Sequence, residues 1–78
     1  MKASAMVRKY GKKLIGKKIS TLRMGDYPGG VATVMGIKPD PKAPEIVMDV
    51  SNPDYENGDP IGIFAYEQVD FLEEVASA

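Results

Sequence analysis

Apolar and polar residues alternate with a period of two along short stretches of the chain, a pattern typical of β-strands that bury one face. The clearest stretch is residues 45–50, in which Ile46, Met48 and Val50 are expected to share the buried face. Residues 31–37, VATVMGI, are apolar without strict alternation. This favours a central strand that is buried on both faces or carries a bulge near its glycine. The pattern therefore predicts a protein built mainly from strands.

Three more strands and the connections between them follow from the same pattern. The additional strands are predicted at residues 18–24, 61–64 and 69–73. Clusters of Gly, Pro, Asn and Asp predict turns or loops at residues 26–30, 38–44 and 51–60. The last of these contains an Asn57-Gly58 pair typical of tight turns. A single helical turn is expected between the last two strands, at residues 65–68.

The chain before these strands is basic and has helical spacing. Ser4 is the predicted N-cap of a short helix that ends near residue 13. In this helix Met6, Tyr10 and Leu14 would form one apolar stripe. The cations at positions 8, 9, 12 and 13 would then be neighbours four residues apart, on one face beside the stripe.

The order of five short strands, with a long first bend, a central loop and a helical turn before the last strand, resembles the SH3-like small barrel. The resemblance covers residues 19–72 and rests on GGV at the second strand and IGIFAYEQVDFLE near the end. It implies a mainly β fold, with a five-stranded SH3-like barrel at residues 17–74. A basic arm or short helix at residues 1–16 would precede the barrel, and a loose tail at residues 75–78 would follow it. One small domain of this kind fits a chain of 78 residues.

Two families of that class share further residues with the chain. KISTLRMGDYPGGVATV and a later FAYEQV are similar to the photosystem I accessory subunit that docks ferredoxin. There, a strand ending in Leu-Arg, a loop with a tyrosine and a late Phe-Ala occur in this order. The chain length and IGIFAYEQVDFLE resemble the plasmid-borne type II dihydrofolate reductase, a small barrel that works as a tetramer. That family binds substrate through a Val-Gln-Ile-Tyr strand. Here Gly62 and Phe64 stand at the Gln and Tyr positions, so the resemblance implies a fold and carries over no activity.

The formal net charge of −1 hides a strong separation of charge along the chain. Residues 1–25 carry eight Lys or Arg and no acid, a charge of +8, whereas residues 26–78 carry two Lys and eleven Asp or Glu, a charge of −9. A segment this basic can bind nucleic acid or anionic lipid. It can equally lie over an acidic surface of its own domain or of a neighbouring subunit, and the sequence leaves both open.

The residue types on which most catalytic and metal sites depend are missing. The chain has no Cys and no His, which excludes disulfides, the usual zinc sites and nucleophiles activated by His. Four acids lie close together in sequence, Asp49, Asp54, Glu56 and Asp59, but they lack the spacing of a calcium loop. No catalytic residue, metal site or cofactor is predicted. Without an apolar run of signal or membrane-spanning length, a cytoplasmic location is expected.

The favoured function is a non-enzymatic protein-binding or assembly module, either with a protein partner or by self-association. The separated charges, the polar loops and a small core that gains stability from a partner all favour it. Its candidate contacts are Asp26, Tyr27, Tyr55, Tyr66 and Phe64. Tyr27 is expected to be exposed on the first bend, whereas Phe64 is expected to pack in the core or at its rim.

Two other functions stay open. A small nucleic-acid-binding barrel would neutralise phosphates with its basic segment and stack Tyr10 or Tyr27 on a base. The candidate cations are Arg8, Lys9, Lys12, Lys13, Lys17, Lys18 and Arg23. The acidic remainder of the chain disfavours this function. An oligomeric pore enzyme of the reductase kind is the third, and the missing Gln and Tyr disfavour it.

Overall fold

Five antiparallel strands and one short helix form the fold, which a computed structural model describes at residues 1–38 and 45–72. The elements in chain order are α1 Ala3–Tyr10, β1 Lys18–Thr21, β2 Gly30–Ile37, β3 Ile46–Ser51, β4 Ile61–Phe64 and β5 Val69–Phe71. Short 3₁₀ turns follow α1 at Gly11–Leu14 and precede β4 at Glu56–Gly58. The prediction of a mainly β protein with a short N-terminal helix is confirmed. Most of the predicted loop at 38–44 and the predicted tail at 75–78 lie outside the described residues.

The strands form one sheet in the order β4-β3-β2-β1-β5, and every neighbouring pair is antiparallel. The central strand β2 pairs with β1 and β3, as its apolar composition predicts. β4 and β5 lie at the two edges, and the strands in the described ranges do not close into a barrel. The structure therefore supports a small five-stranded β fold without the closure of a barrel.

Two bulges interrupt the sheet and decide which side chains are buried. The β2–β3 register shifts between Val34 and Gly36, where the interrupted alternation allows a bulge. The β3–β4 register shifts between Ile46 and Met48. This second bulge turns both Val47 and Met48 into the core and leaves Ile46 exposed. The predicted buried face of β3 is therefore wrong at Ile46, because strict alternation does not survive the extra residue.

The helix α1 covers the buried face of the sheet and shares its core. The predicted apolar stripe is present: Met6 and Leu14 are fully buried, and Tyr10 is partly buried against the ring of Phe71, with centroids 4.9 Å apart. The strand side chains in the same cluster are Ile19, Ala32, Val34, Val47, Met48, Val50, Ile63 and Val69. The basic N-terminal segment is therefore anchored through its apolar side chains, with its charges outward.

The start and end of α1 differ from the sequence prediction. Lys2 is the N-cap residue, no side chain caps the helix, and Ser4 lies inside it. Instead, the amides of Ala3 and Ser4 donate to the carbonyls of Glu67 and Ala65 at 2.8 and 3.0 Å, which satisfies the groups that a cap would bind. The α-helix ends before Gly11, so Lys12 and Lys13 lie in the 3₁₀ turn and not at four-residue helical spacing.

Both edges of the sheet are partly covered. On β5, the amide of Val69 donates to the carbonyl of Met1 at 2.9 Å. On β4, Glu67 occupies both outward backbone groups of Phe64: its carboxylate accepts from the Phe64 amide at 3.2 Å, and its amide donates to the Phe64 carbonyl at 3.1 Å. By strand alternation Gly62 is the next residue of β4 that points outward, so little of this edge is open to another strand.

No helix in the described ranges has the length and apolarity needed to cross a bilayer.

Candidate functional site

The first bend, predicted to be a binding surface, is tied to the core through Tyr27. This side chain is only 5% exposed, so the expectation that it is accessible is wrong. The Thr21 hydroxyl donates to the carbonyl of Gly30 at 3.0 Å and lies 2.6 Å from the Tyr27 hydroxyl. Asn52 Nδ2 also donates to the Tyr27 hydroxyl, at 3.2 Å. Tyr27 is buried because its polar atom has protein partners in place of water.

Asn52 and Gly29 complete this network, and neither was predicted to take part. Asn52 is buried; its Nδ2 donates to the Gly29 carbonyl at 2.9 Å, and its Oδ1 accepts from the amide of Asp54 at 2.9 Å. A Cβ at position 29 would lie 2.7 Å from the carbonyl oxygen of Thr21, so only glycine allows the two backbones to approach this closely. The bend is therefore fixed by buried hydrogen bonds and close packing, and its role is structural. An Asn in a polar loop gives no sign in the sequence that it will be buried.

A second aromatic surface lies at the other end of β3. We call Ile46, Phe64 and Tyr66 the aromatic corner; their side chains are 39%, 38% and 55% exposed. The rings of Phe64 and Tyr66 stack with centroids 5.7 Å apart and planes 11° from parallel. Ile46 is the cross-strand partner of Phe64. Phe64, expected in the core or at its rim, thus packs on another exposed aromatic ring.

Gly62 explains how Ile46 reaches this surface. A Cβ at position 62 would lie 2.5 Å from Cδ1 of Ile46, so the isoleucine side chain covers the glycine. Gly62 and Phe64 are two residues apart on β4 and project on the same face, which places Ile46 beside Phe64. A glutamine at position 62, as in the reductase family, would collide with Ile46. The geometry therefore favours an apolar surface over a polar substrate site.

Carboxylates border the aromatic corner. Glu45 precedes Ile46 and is exposed, and its carbonyl accepts from the amide of Ala65 at 2.9 Å. Asp49 pairs with Gly62 across β3 and β4. Burial raises the pKa of the Glu67 carboxyl above its ordinary value, and the hydrogen bond from Phe64 partly offsets this. Lys38 lies on the neighbouring segment, where its amide donates to Val47. The border therefore has three carboxylates and offers a partner an excess of negative charge.

The predicted contact residues do not form one site. Asp26 is exposed in a tight turn whose flanking residues, Met24 and Tyr27, exchange backbone hydrogen bonds of 2.9 and 2.8 Å. Tyr55 is half-buried with its ring edge to face with that of Tyr27, 5.2 Å between centroids. Tyr66 lies with the aromatic corner, which adjoins the first residues of β3, whereas Tyr55 and Tyr27 lie beyond its last residue.

The predicted cations are at the surface, but the two tyrosines expected to stack on a base make contacts within the protein. Six of the seven are exposed and Lys17 is half-buried; the exposed ones are Arg8, Lys9, Lys12, Lys13, Lys18 and Arg23. Lys9 Nζ lies 5.4 Å from the centre of the Tyr10 ring, which also packs on Phe71. Since Tyr27 is buried as well, both residues predicted to stack on a base are held by internal contacts.

The acidic residues do not assemble into a metal site in the part of the chain that the structure describes. Within those residues no group of three or more carboxylates is close enough to hold an ion. This includes the four acids singled out in the sequence, of which Asp49 lies on β3 and the others follow β3 in the connection to β4.

Comparison with known protein families, curated proteins and solved structures finds no match for this chain. The candidate site therefore rests on the geometry of the chain itself. The aromatic corner joins exposed apolar side chains in mutual contact with a border of carboxylates. Such a surface gains free energy when an apolar, positively charged partner covers it.

Proposed function

We propose that the protein is a non-enzymatic protein-binding or assembly module that docks its partner on the aromatic corner. The observation that carries the proposal is the exposed stack of Phe64 on Tyr66 beside Ile46. Exposed aromatic side chains in contact are enriched at protein interfaces and dominate their binding energy. The small β fold is also compatible with an SH3-like domain, a class that binds peptides through aromatic residues near its loops.

The charges bordering the corner define the chemistry of the partner. Glu45, Asp49 and Glu67 adjoin the apolar surface, so the best partner segment carries apolar side chains flanked by Lys or Arg. Because Glu67 occupies the outward backbone groups of Phe64, and Gly62 is the one other residue of β4 with groups that point outward, the partner binds through side chains on the face of the sheet and not as an added strand.

The proposal is tested by titrating the isotopically labelled protein with a short peptide of alternating Lys and Leu. The matched probe is the same peptide with Glu in place of each Lys. We expect the Lys peptide to shift the backbone amide resonances of residues 45–46 and 64–67, and the Glu peptide to leave them unchanged. Replacing Phe64 and Tyr66 by Ser should weaken binding about tenfold or more, since interface aromatics are frequent hot spots.

Leu22→Ser provides the matched control, because Leu22 is also exposed but lies outside the corner. Binding by this variant should equal that of the unmodified protein. Resonance shifts confined to another surface, or equal affinity in the Phe64 and Tyr66 double variant, would contradict the proposal.

Nucleic-acid binding is the second candidate function, favoured by the exposed cations of residues 8–18. Phosphate contacts by these side chains would make affinity for a single-stranded RNA fall steeply with salt concentration. The same labelled protein should then show shifts at residues 8–18 and none at the aromatic corner. An absence of shifts even at low salt removes this function.

A further inference from the structure

A second exposed apolar side chain, Ile15, lies within the basic segment of the chain. Ile15 is 49% exposed, and the lysines around it are Lys12, Lys13, Lys17 and Lys18. We call these five residues the basic knob. No acidic residue occurs anywhere in residues 1–25, so no carboxylate near the knob in sequence offsets its positive charge.

The basic knob is held in a fixed shape. The amide of Ile15 donates to the Lys12 carbonyl at 3.2 Å, and the amide of Lys17 donates to the Leu14 carbonyl at 2.8 Å. Leu14, the residue before Ile15, is fully buried and anchors the turn in the core. The exposed isoleucine is therefore presented on an ordered turn, which lowers the entropy lost when a partner binds it.

No hydrogen bond or ion pair joins the knob to the aromatic corner of the same molecule in the described residues. The amide of Gly16 donates to the carbonyl of Val34, and the amide of Val34 donates to the carbonyl of Lys17, which places the knob beside β2 next to β1. The corner lies across β3 on β4, at the opposite side of the sheet order from β1. Because β2 lies between β1 and the strands of the corner, both surfaces are open to a contact with a second molecule.

We propose that the basic knob of one copy of this chain docks on the aromatic corner of a second copy. The proposal rests on the proposed function and names its partner. Ile15 would pack against the rings of Phe64 and Tyr66, while the lysines face Glu45, Asp49 and Glu67. The two surfaces match in both respects that define them, an apolar centre and a charged border of opposite sign.

This contact joins two different surfaces, so it is heterologous. Each pair of docked molecules retains one free knob and one free corner, and further copies add until a ring closes or a chain grows. Because each surface has few apolar side chains, the contact is weak and association is expected only at high protein concentration. Because the charges lie at the surface, salt weakens it.

The test measures self-association by sedimentation velocity at low salt over a series of protein concentrations. We expect the sedimentation coefficient of the full chain to rise with concentration and to fall back to that of a monomer at high salt. The knob variant Ile15→Ser and the corner variant with Ser at positions 64 and 66 should each remain monomeric. An equimolar mixture of the two variants should form dimers and nothing larger, because it contains one intact knob and one intact corner per pair.

Two further variants keep the test valid if the corner variant fails to fold. Glu45→Lys reverses one charge at the corner and Lys13→Glu one charge at the knob, both at exposed positions. Each should weaken association, and Leu22→Ser should leave it unchanged. A full chain that stays monomeric at every concentration, or a variant mixture that does not dimerise, overturns the proposal. If the Lys peptide still binds the corner of such a monomer, the proposed function stands and only the self-docking is wrong.

Discussion

Two pairs of aromatic side chains, Tyr27 with Tyr55 at the first bend and Phe64 with Tyr66 at the aromatic corner, lie beyond opposite ends of β3 and differ in burial. At the first bend Tyr27 is buried and Tyr55 packs edge to face over it. At the aromatic corner Phe64 and Tyr66 stack on each other in solvent. The sequence prediction of an exposed Tyr27 is therefore wrong, whereas Tyr66, predicted as a contact, is exposed.

The difference between the two regions is the supply of hydrogen-bond partners. Tyr27 can be buried because Thr21 and Asn52, which come from β1 and from the end of β3, both reach its hydroxyl. Phe64 has no polar atom to satisfy, and strand alternation after the buried Ile63 places its ring on the exposed face of β4. The burial of Tyr27 therefore depends on Asn52, a residue distant in sequence, which the local pattern does not show.

The largest expected effect comes from truncating one aromatic in each region. Tyr27→Ala removes a buried ring and takes one of the two hydrogen bonds from the Thr21 hydroxyl and one from Asn52 Nδ2, so it should lower the free energy of unfolding by about 3–5 kcal/mol. Tyr66→Ala removes an exposed ring and should cost about 1 kcal/mol or less. Urea unfolding followed by circular dichroism measures both. Equal losses in the two variants would break the comparison.

A smaller effect tests how closely the first bend is packed. Gly29→Ala forces a side chain into a backbone with φ +77°, which costs about 1–2 kcal/mol, and its Cβ also meets the Thr21 carbonyl. Gly25→Ala is the matched control, because Gly25 has φ +54° but no atom within 4 Å of the added Cβ. The Gly29 variant should be the less stable in the same urea experiment. If the two variants unfold alike, the close approach contributes nothing.

The smallest expected effect concerns the ionisation of Glu67 at the aromatic corner. Its pKa is higher in the folded protein than in the unfolded chain, because burial penalises the charged carboxylate. The folded state therefore binds this proton more tightly. Its stabilisation is complete below the unfolded-state pKa and is lost as the pH rises through the folded-state pKa. In Glu67→Gln this loss should disappear from a plot of unfolding free energy against pH.

Glu45→Gln is the control for the Glu67 experiment. It removes a neighbouring negative charge and keeps the hydrogen bond that the Phe64 amide donates to the Glu67 carboxylate. The pH dependence of this variant should match that of the unmodified protein. A Glu67→Gln profile that parallels the unmodified protein would show that the carboxylate at the β4 edge is fully solvated.

The sequence predicts the secondary structure elements of this fold well and the tertiary contacts at their ends less well. β4 has the predicted bounds, 61–64, and the central strand differs by one residue at its start, because apolar and turn residues mark both clearly. β1 ends at Thr21 and not at residue 24, because residues 24 and 27 close a tight turn of their own. The helix stripe is found, but not its first residue, since the amides at that end bond to a turn more than sixty residues away.

The sequence predicts only part of the candidate site. Tyr66 is named as a contact residue and is exposed, and Phe64 is named separately. Of the bordering carboxylates only Asp49 is singled out, as part of another acidic cluster. Ile46 is assigned to the wrong face, because a bulge has no marker in EIVMDV. Asn52 is missed, because its burial follows from Tyr27 and Gly29 and not from its neighbours in the chain.

The backbone hydrogen bonds from Ala3 and Ser4 to the turn before β5 limit when α1 can dock on the sheet during synthesis. A ribosome releases α1 long before Ala65 and Glu67 exist, so the amides of Ala3 and Ser4 have no partners and Met6 no complete core while most of the chain is made. Docking of the helix with these contacts therefore cannot be complete until the chain has been made to residue 67. Until then its apolar stripe is available to chaperones, and a stalled or truncated chain would keep it exposed.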